Sequence, residues 1–558
     1  TLYFSSSIFH LDLHAHPTKR DDTSVLSIVH LQLARGRSTM AIALAAFLQL
    51  LLLPLLSLAA VFLLHARASW RLHKGAAPYP LLGHLPQFLA NRHRVLDWLT
   101  EVLALLPTCT LVFRRPGGVR GVITANPTNL EHIMRASFDN YPKGPRFAAL
   151  LHDFLGRGIF NADGEAWRAQ RKAASYEFNT RSLRLFVARS VHSELHGRLL
   201  PLLRRAAGSG GHLDLQDTLE RYAFDNICRV AFDHDPRQLP DGDACPEVES
   251  TGTASSRFAD AFRDAANFSA GRFRYAVPGF WKIKKALNLG SERRLRESIA
   301  IVHGFADRII RSRREEMSMG CEKHDLLSRF MVSQGESYTE RALRDVVISF
   351  LLAGRETTSS ALTWFFWLLS SRPDVERRIR EEVAAVRARR AISDLNRPGF
   401  DLDELREMHY VHAAITESMR LYPPVPVNSV QARAADVLPD GTAVGAGWFV
   451  SYNAYAMGRM ESVWGEDARA YRPERWLDPV SAEEGTFRPE SPFRYIVFHA
   501  GPRICLGKEM AYIQMKSIVA SVVEELELAV DGGYTPRQVA SLTLRMADGL
   551  PVRVKARA

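Results

Sequence analysis

The chain has 558 residues, of which 46% are hydrophobic and 24% charged, and its formal net charge is +11. That composition is globular and excludes a disordered chain, a collagen-like fibre and a polytopic membrane protein. The basic balance suits an anionic membrane surface or an acidic partner protein; no Lys/Arg block with interleaved aromatics supports a nucleic-acid partner.

Thr1 opens the chain, and the first methionine is Met40. Residues 1–39 show no clear periodicity and read as a doubtful extension, either sequence upstream of the native start or a targeting segment. Residues 41–64 carry no charge. As a helix they span about 36 Å at roughly 1.5 Å per residue, enough for a ~30 Å hydrocarbon core. We therefore assign 40–66 as a single transmembrane anchor. Arg67, Arg71 and Lys74 follow, and positive charge on that side places the C-terminal bulk in the cytosol. Residues 67–90 form a basic, proline-rich hinge, and PYPLLGHLP at 78–86 is expected to stay out of helix.

Residues 91–558 read as one domain, mainly α with a small β portion. Helical periods include 128–137, 164–176, 182–207, 292–317, 340–370, 373–390, 410–421 and 508–527. Short strand-like runs fall at 109–114, 119–124, 427–433 and 447–452, and a loop is expected over 234–256. The segment 346–369 is apolar on nearly all sides, so it is expected to be buried. Arg355 and Glu356 at its centre argue against a second span, since each would cost roughly 2.5–3.5 kcal/mol in a bilayer. Phe350, Ala353, Gly354, Thr357 and Ala361 share one face of it. Most are small, which admits either something flat and bulky or another closely packed helix.

The five cysteines are scattered, with no Cys-x-x-Cys pair, which speaks against a disulfide framework or a structural zinc site and for a reducing compartment. Cys505 stands apart, in FHAGPRICLG at 498–507, just before a helical run from Lys508. Loop N–H groups and the positive end of the following helix are expected to favour its thiolate.

Phe498, Gly501, Arg503, Cys505 and Gly507 match F-x-x-G-x-R-x-C-x-G. Residues 353–358 match A-G-x-[DE]-T-T, and Glu417 with Arg420 match E-x-x-R. PERW at 473–476 matches P-E-R-F with Trp476 in place of Phe, and Trp167 with Arg171 match W-x-x-x-R. On these motifs, in this order, the chain resembles the cytochrome P-450 family of haem-thiolate monooxygenases over roughly 41–558. The resemblance implies that fold behind the anchor and haem b as cofactor, with the Cys505 thiolate as axial iron ligand. It implies Arg503, Arg171 and the Trp167 indole N–H as partners of the haem propionates, and Phe498, Gly501, Ala353 and Gly354 as further haem neighbours, Gly354 leaving room for dioxygen. Glu356 and Thr357 are expected to deliver protons. Glu417, Arg420 and Arg475 are expected to form a buried structural network.

Several stretches, among them 141–172, 350–376 and 501–520, are similar to the plant fatty-acid ω-hydroxylase branch, family 94. That resemblance implies insertion of one oxygen atom from O2 into a terminal or near-terminal C–H of a fatty acid or related carboxylate-bearing lipid. NADPH–cytochrome P-450 reductase would supply the electrons, at the endoplasmic reticulum membrane, with the catalytic domain cytosolic. Hydroxylation of jasmonoyl-amino-acid conjugates is the alternative within the branch. A haem-thiolate isomerase or lyase, and a non-catalytic haem or lipid binder, are the alternatives outside it. By family position the substrate pocket is expected to be walled by Phe147, Phe160, Phe350, Ala353, Val425, Val427 and Met546.

Overall fold

A computed structural model describes residues 46–64, 67–68 and 77–557, less 80, 179–181, 183, 185, 240–253, 276, 278, 322, 324, 334–338, 391–396 and 479–484. The segment 1–39 and most of the expected 234–256 loop lie outside the described residues. The chain divides into two units, Thr1–Leu72 and His73–Ala558. In the first, Ala46–Leu64 forms a helix of mean hydropathy 2.5 with no buried residue, long and apolar enough to cross a membrane.

In the second unit the C-terminal part of the expected hinge is folded. Leu85–Ala90 is a short helix with proline in its first turn. It overlaps the stretch 78–86, expected to stay out of helix, at Leu85 and Pro86, because a first-turn proline loses no intrahelical hydrogen bond. His84 N–H donates to the Arg114 carbonyl at 2.8 Å, and Arg114 N–H donates back to His84 Nδ1 at 3.1 Å. These bonds tie the segment to the body.

The unit is mainly α, as expected. Among the described residues its short strands are β1 (Thr110–Arg115), β2 (Val119–Thr124), β3 (His212–Asp214), β4 (Val427–Gln431), β5 (Asp436–Val437), β6 (Ala443–Val444), β7 (Phe449–Asn453), β8 (Leu526–Val530), β9 (Gln538–Ala540), β10 (Leu544–Met546) and β11 (Pro551–Ala556). The largest sheet has the order β1-β2-β7-β4, with β2 and β7 parallel and the other pairs antiparallel.

The central helix runs Glu340–Leu351, passes through a π-turn at Leu352–Glu356 and continues as Thr357–Leu369. Leu362, Trp364, Phe365 and Phe366 are buried, as an all-round apolar helix requires. Leu215–Phe232 packs across the π-turn. The sequence reading did not single this helix out, because its buried side includes Gln216, Glu220, Asp225 and Asn226, which blur the apolar period. Ser360 Oγ and Trp364 Nε1 both donate to the Leu544 carbonyl, at 2.6 and 3.2 Å. They fasten the β9–β10 hairpin to the central helix and bring residues 541–543 to the same region.

Glu417 and Arg420 lie one turn apart on His409–Leu421, both buried. Arg420 Nε and Nη2 each donate to the Glu417 carboxylate at 2.7 Å. Arg475 Nε reaches the same carboxylate at 3.4 Å, and the Trp476 indole N–H reaches it at 2.8 Å. The tryptophan that replaces the usual phenylalanine is thus a fourth donor group in the network. Arg420 also donates to the Ala468 carbonyl at 2.6 Å, which pins the loop leading to PERW.

Candidate active site

A cavity of about 1140 Å³ lies between the central helix, the Cys505 loop, β4 and the helix Gly144–Leu155. Two local features shape the Cys505 loop. Gly501 has φ +62, and a Cβ there would overlap the Met134 carbonyl, so only glycine lets the loop lie on the turn at 132–136. Cys505 N–H donates to the Phe498 carbonyl at 2.8 Å, which turns the thiol into the cavity. Phe498 itself lies against Tyr512 with ring centroids 5.2 Å apart.

The thiol does not have the low proton affinity expected from its loop. Burial pushes Cys505 up, and the Gly507 N–H, Arg171 and Lys508 offset this only in part. A coordinated metal deprotonates such a thiol outright, so the thiolate belongs to the metal-loaded site.

Around the cysteine the cationic groups are short of anions. Arg503 Nη2 donates to Asp163 at 2.6 Å and to the Ala162 carbonyl at 3.0 Å, while its Nε is buried with no hydrogen-bond partner. Arg171 Nη2 donates to the Ile504 carbonyl at 2.6 Å. Both guanidinium groups lie over the Trp167 ring, at 4.5 and 5.8 Å.

Sequence reasoning missed two members of this cluster. Lys143 is buried, and its ammonium meets the neutral Asn428 Oδ1 at 2.7 Å and the Ser429 carbonyl at 3.3 Å. Burial and then Arg503 lower its pKa to about 7, against the opposing pull of Asp163. His499 shares Asn428 at 3.1 Å, and its Nδ1 has no partner. Burial, Lys143 and Arg503 hold its pKa at about 3, so the ring is neutral. Both residues sit inside quoted motif stretches, Lys143 in YPKG and His499 in FHAG, but a single polar residue among prolines and glycines has no period to betray it.

On the opposite wall, Phe350, Ala353, Gly354, Thr357 and Ala361 all line the cavity. Gly354 does not leave an empty niche: a Cβ would overlap the side chain of Ile227 from the neighbouring helix, so close helix packing needs the glycine. Thr357 Oγ1 donates to the Ala353 carbonyl at 2.6 Å, so its oxygen retains acceptor capacity while the residue lines the cavity.

Glu356 is absent from the cavity wall. Its carboxylate pairs with Arg355, which in turn donates to Glu220 at 3.0 Å; Arg545 Nε also donates to Glu220, at 2.9 Å. Its link to the cavity is Thr543, whose hydroxyl donates to Glu356 Oε2 at 3.4 Å while the residue lines the wall. Nothing local in the sequence connects two residues 187 positions apart.

Phe147, Phe160, Val425 and Val427 also line the cavity. Met546 does not. It is buried in the core packed around the central helix, and its N–H donates to Gln216 Oε1 at 2.9 Å. The strand alternates its faces, and the hairpin offers Leu542 and Thr543 to the cavity in its place.

Cations short of anionic partners on one side, a sulfur open to the cavity and a stripe of small residues opposite suit a flat, anionic macrocycle bound through sulfur, which defines the haem-thiolate class. A model of the cytochrome P450 family matches residues 74–547, and the chain belongs to that family, whose members are monooxygenases that hold haem iron by a cysteine thiolate. It is 50% identical over 474 residues to cytochrome P450 CYP94D108 of Paris polyphylla, covering 85% of this chain and 90% of the relative. It is 44% identical over 484 residues to cytochrome P450 94A1 of Vicia sativa, covering 86% and 90%. Cytochrome P450 94B1 of Arabidopsis thaliana is 43% identical over 484 residues, covering 86% and 91%.

Proposed function

We propose that this chain hydroxylates a terminal or near-terminal carbon of a fatty acid or a jasmonoyl-type conjugate. Haem b is its cofactor and an NADPH-dependent reductase its electron source, at the endoplasmic reticulum membrane. The observation that carries the substrate class is the cavity: Phe350, Val425 and Val427 line the same cavity as Cys505, and Phe147 and Phe160 extend its apolar lining. When bound, the haem supplies dioxygen activation, which thiolate donation favours by promoting O–O cleavage.

The chain's own residues do the rest. The Cys505 thiolate would hold the iron, and Lys143, Arg171, Arg503 and His499 Nδ1 would receive the propionates. Asp163 orients this cluster by accepting from Arg503 and from the backbone N–H groups of Lys143 and Gly144, the latter two at 2.9 Å. Dioxygen cleavage consumes two protons. Once Glu356 has taken up a proton, it would pass it to the Thr543 hydroxyl, which turns from donating to accepting and releases its own proton inward, to a water ordered by the Thr357 hydroxyl; two such deliveries supply the cleavage. Thr357→Ala is expected to bind substrate normally but to form product about tenfold more slowly, with more peroxide released per electron consumed. Coupling equal to that of the wild type excludes this role.

Terminal attack is demanding, because the methyl end has the strongest C–H bond of the chain. The wall must present that end at about 3–3.5 Å from the reacting centre and exclude inner methylenes. Phe350, Val425 and Val427 are the constriction we assign to that task. Phe350→Ala is expected to move product from the terminal carbon to inner ones with total turnover changed less than threefold, measured by product position on dodecanoate. The overall reading is tested by reconstituting the full chain with reductase and NADPH. Turnover that runs on hydroperoxide alone, without reductase, points instead to an isomerase or lyase.

A further inference from the structure

Among the charged residues that line the cavity only Glu177 is acidic, and Arg329 already engages it at 2.6 Å. The basic residues sort into groups by partner. Lys143, Arg171 and Arg503 surround the Cys505 loop. Arg272 is bound by Glu292, at 3.1 Å through Nε, and by Asp153, at 2.7 Å through Nη2.

Arg274 and the exposed Lys282, over the Trp281 ring at 5.9 Å, line the cavity as well. Arg115 and Arg146 line it with no carboxylate partner among the described residues. Arg115 ends β1, beside the exposed, cavity-lining Gly117, so it stands at the rim. Its Nη groups hold the carbonyls of Phe273 and Tyr275, and its Nε is buried with no hydrogen-bond partner. Arg146, in the first turn of Gly144–Leu155, lies over the Phe449 ring at 4.8 Å. Burial disfavours the charge of both, and for Arg115 the charge of Arg146 adds to the penalty. Two like charges facing an apolar cavity without a counter-ion are costly unless an anion joins them.

The geometry points to Arg115 and Arg146 as the carboxylate anchor of the substrate, gripping the acid end at the cavity rim while the apolar body extends toward Cys505. This rests on the reading above that the substrate bears a carboxylate. A guanidinium fork matches a carboxylate bidentately and fixes its orientation as well as its position. An anchored acid end turns the cavity into a ruler: chain length then decides which carbon reaches the reacting centre. The same chemistry serves a fatty acid and a jasmonoyl-amino acid.

The test compares dodecanoate with methyl dodecanoate, and jasmonoyl-isoleucine with its methyl ester, in the full chain reconstituted with reductase. The readout is the ratio of kcat/KM for acid over ester. We expect the wild type to prefer one of the acids by about tenfold or more, the order set by one charge-assisted pair. Which acid it prefers identifies the source. In Arg115→Gln/Arg146→Gln the ratio falls toward one and products spread to inner carbons. Arg146→Lys keeps part of the preference, since it keeps the charge but loses the fork. The CO band of the reduced protein shows that each variant is loaded. If the double variant fails to load, the single Arg146→Gln carries the test, because the Arg146 side chain meets its neighbours through the Phe449 ring and, among the described residues, through no ion pair.

An acid-over-ester ratio unchanged by these substitutions, or a wild type that takes acid and ester alike, overturns the anchor and leaves the hydroxylase reading standing. A wild type that oxidises none of the four compounds overturns the substrate class, and the anchor with it.

Discussion

Cys505→His is expected to reduce monooxygenase turnover to background and to abolish the strongly red-shifted Soret band of the reduced CO complex. The substitution exchanges an anionic sulfur donor for a neutral nitrogen, removing the donation that favours O–O cleavage. The protein should still fold, because the loop is held by contacts that do not involve the thiol. Gly501 packs against the Met134 carbonyl, Arg503 pairs with Asp163, and Cys505 uses its backbone N–H to hold Phe498. Circular dichroism and thermal unfolding should therefore resemble the wild type while the spectrum and activity do not. A variant that keeps the band and its turnover shows that another residue holds the iron.

Glu417→Ala is expected to act at an earlier stage and to leave little folded, haem-loaded protein. The carboxylate accepts from Arg420 twice, from Arg475, from the Trp476 indole and from the Arg472 N–H at 3.1 Å. Removing it leaves Arg420, 1% exposed, as an uncompensated buried charge. Such a loss costs about 3–5 kcal/mol, a large share of the roughly 5–15 kcal/mol that holds a domain together. Glu417→Gln keeps the shape and some hydrogen bonds, so it should be milder. The check is the amount of reduced CO complex per unit of protein, with urea unfolding of whatever accumulates. Wild-type yield and stability in Glu417→Ala would show that the network does not secure the core.

Both predictions concern residues that motif spacing singles out, yet the sequence conveys them unevenly. Elements with a clean local period were legible: 119–124 coincides with β2, and 508–527 became Lys508–Glu525. The apolar run of the central helix was read as buried because no other environment suits a helix without a polar face. The Leu215–Phe232 helix escaped notice because its buried polar residues are satisfied by partners far along the chain. Glu220 meets Arg355, 135 positions away, and Arg545, 325 positions away.

By itself the sequence determined the type of most elements, the apolar run at 41–64, and the motif residues to which we assign the chemistry, because periodicity and short motifs are local properties of a chain. Tertiary structure alone decided which way those residues face. It turned Glu356 toward Arg355 and made Thr543 its link to the cavity, filled the niche of Gly354 with Ile227, placed Met546 in the core, and gathered Lys143 and His499 beside Arg503. The physical reason is common to all of these. A π-turn, a strand register or a helix crossing selects which side of an element meets its neighbour, and that selection is made by packing between segments hundreds of residues apart.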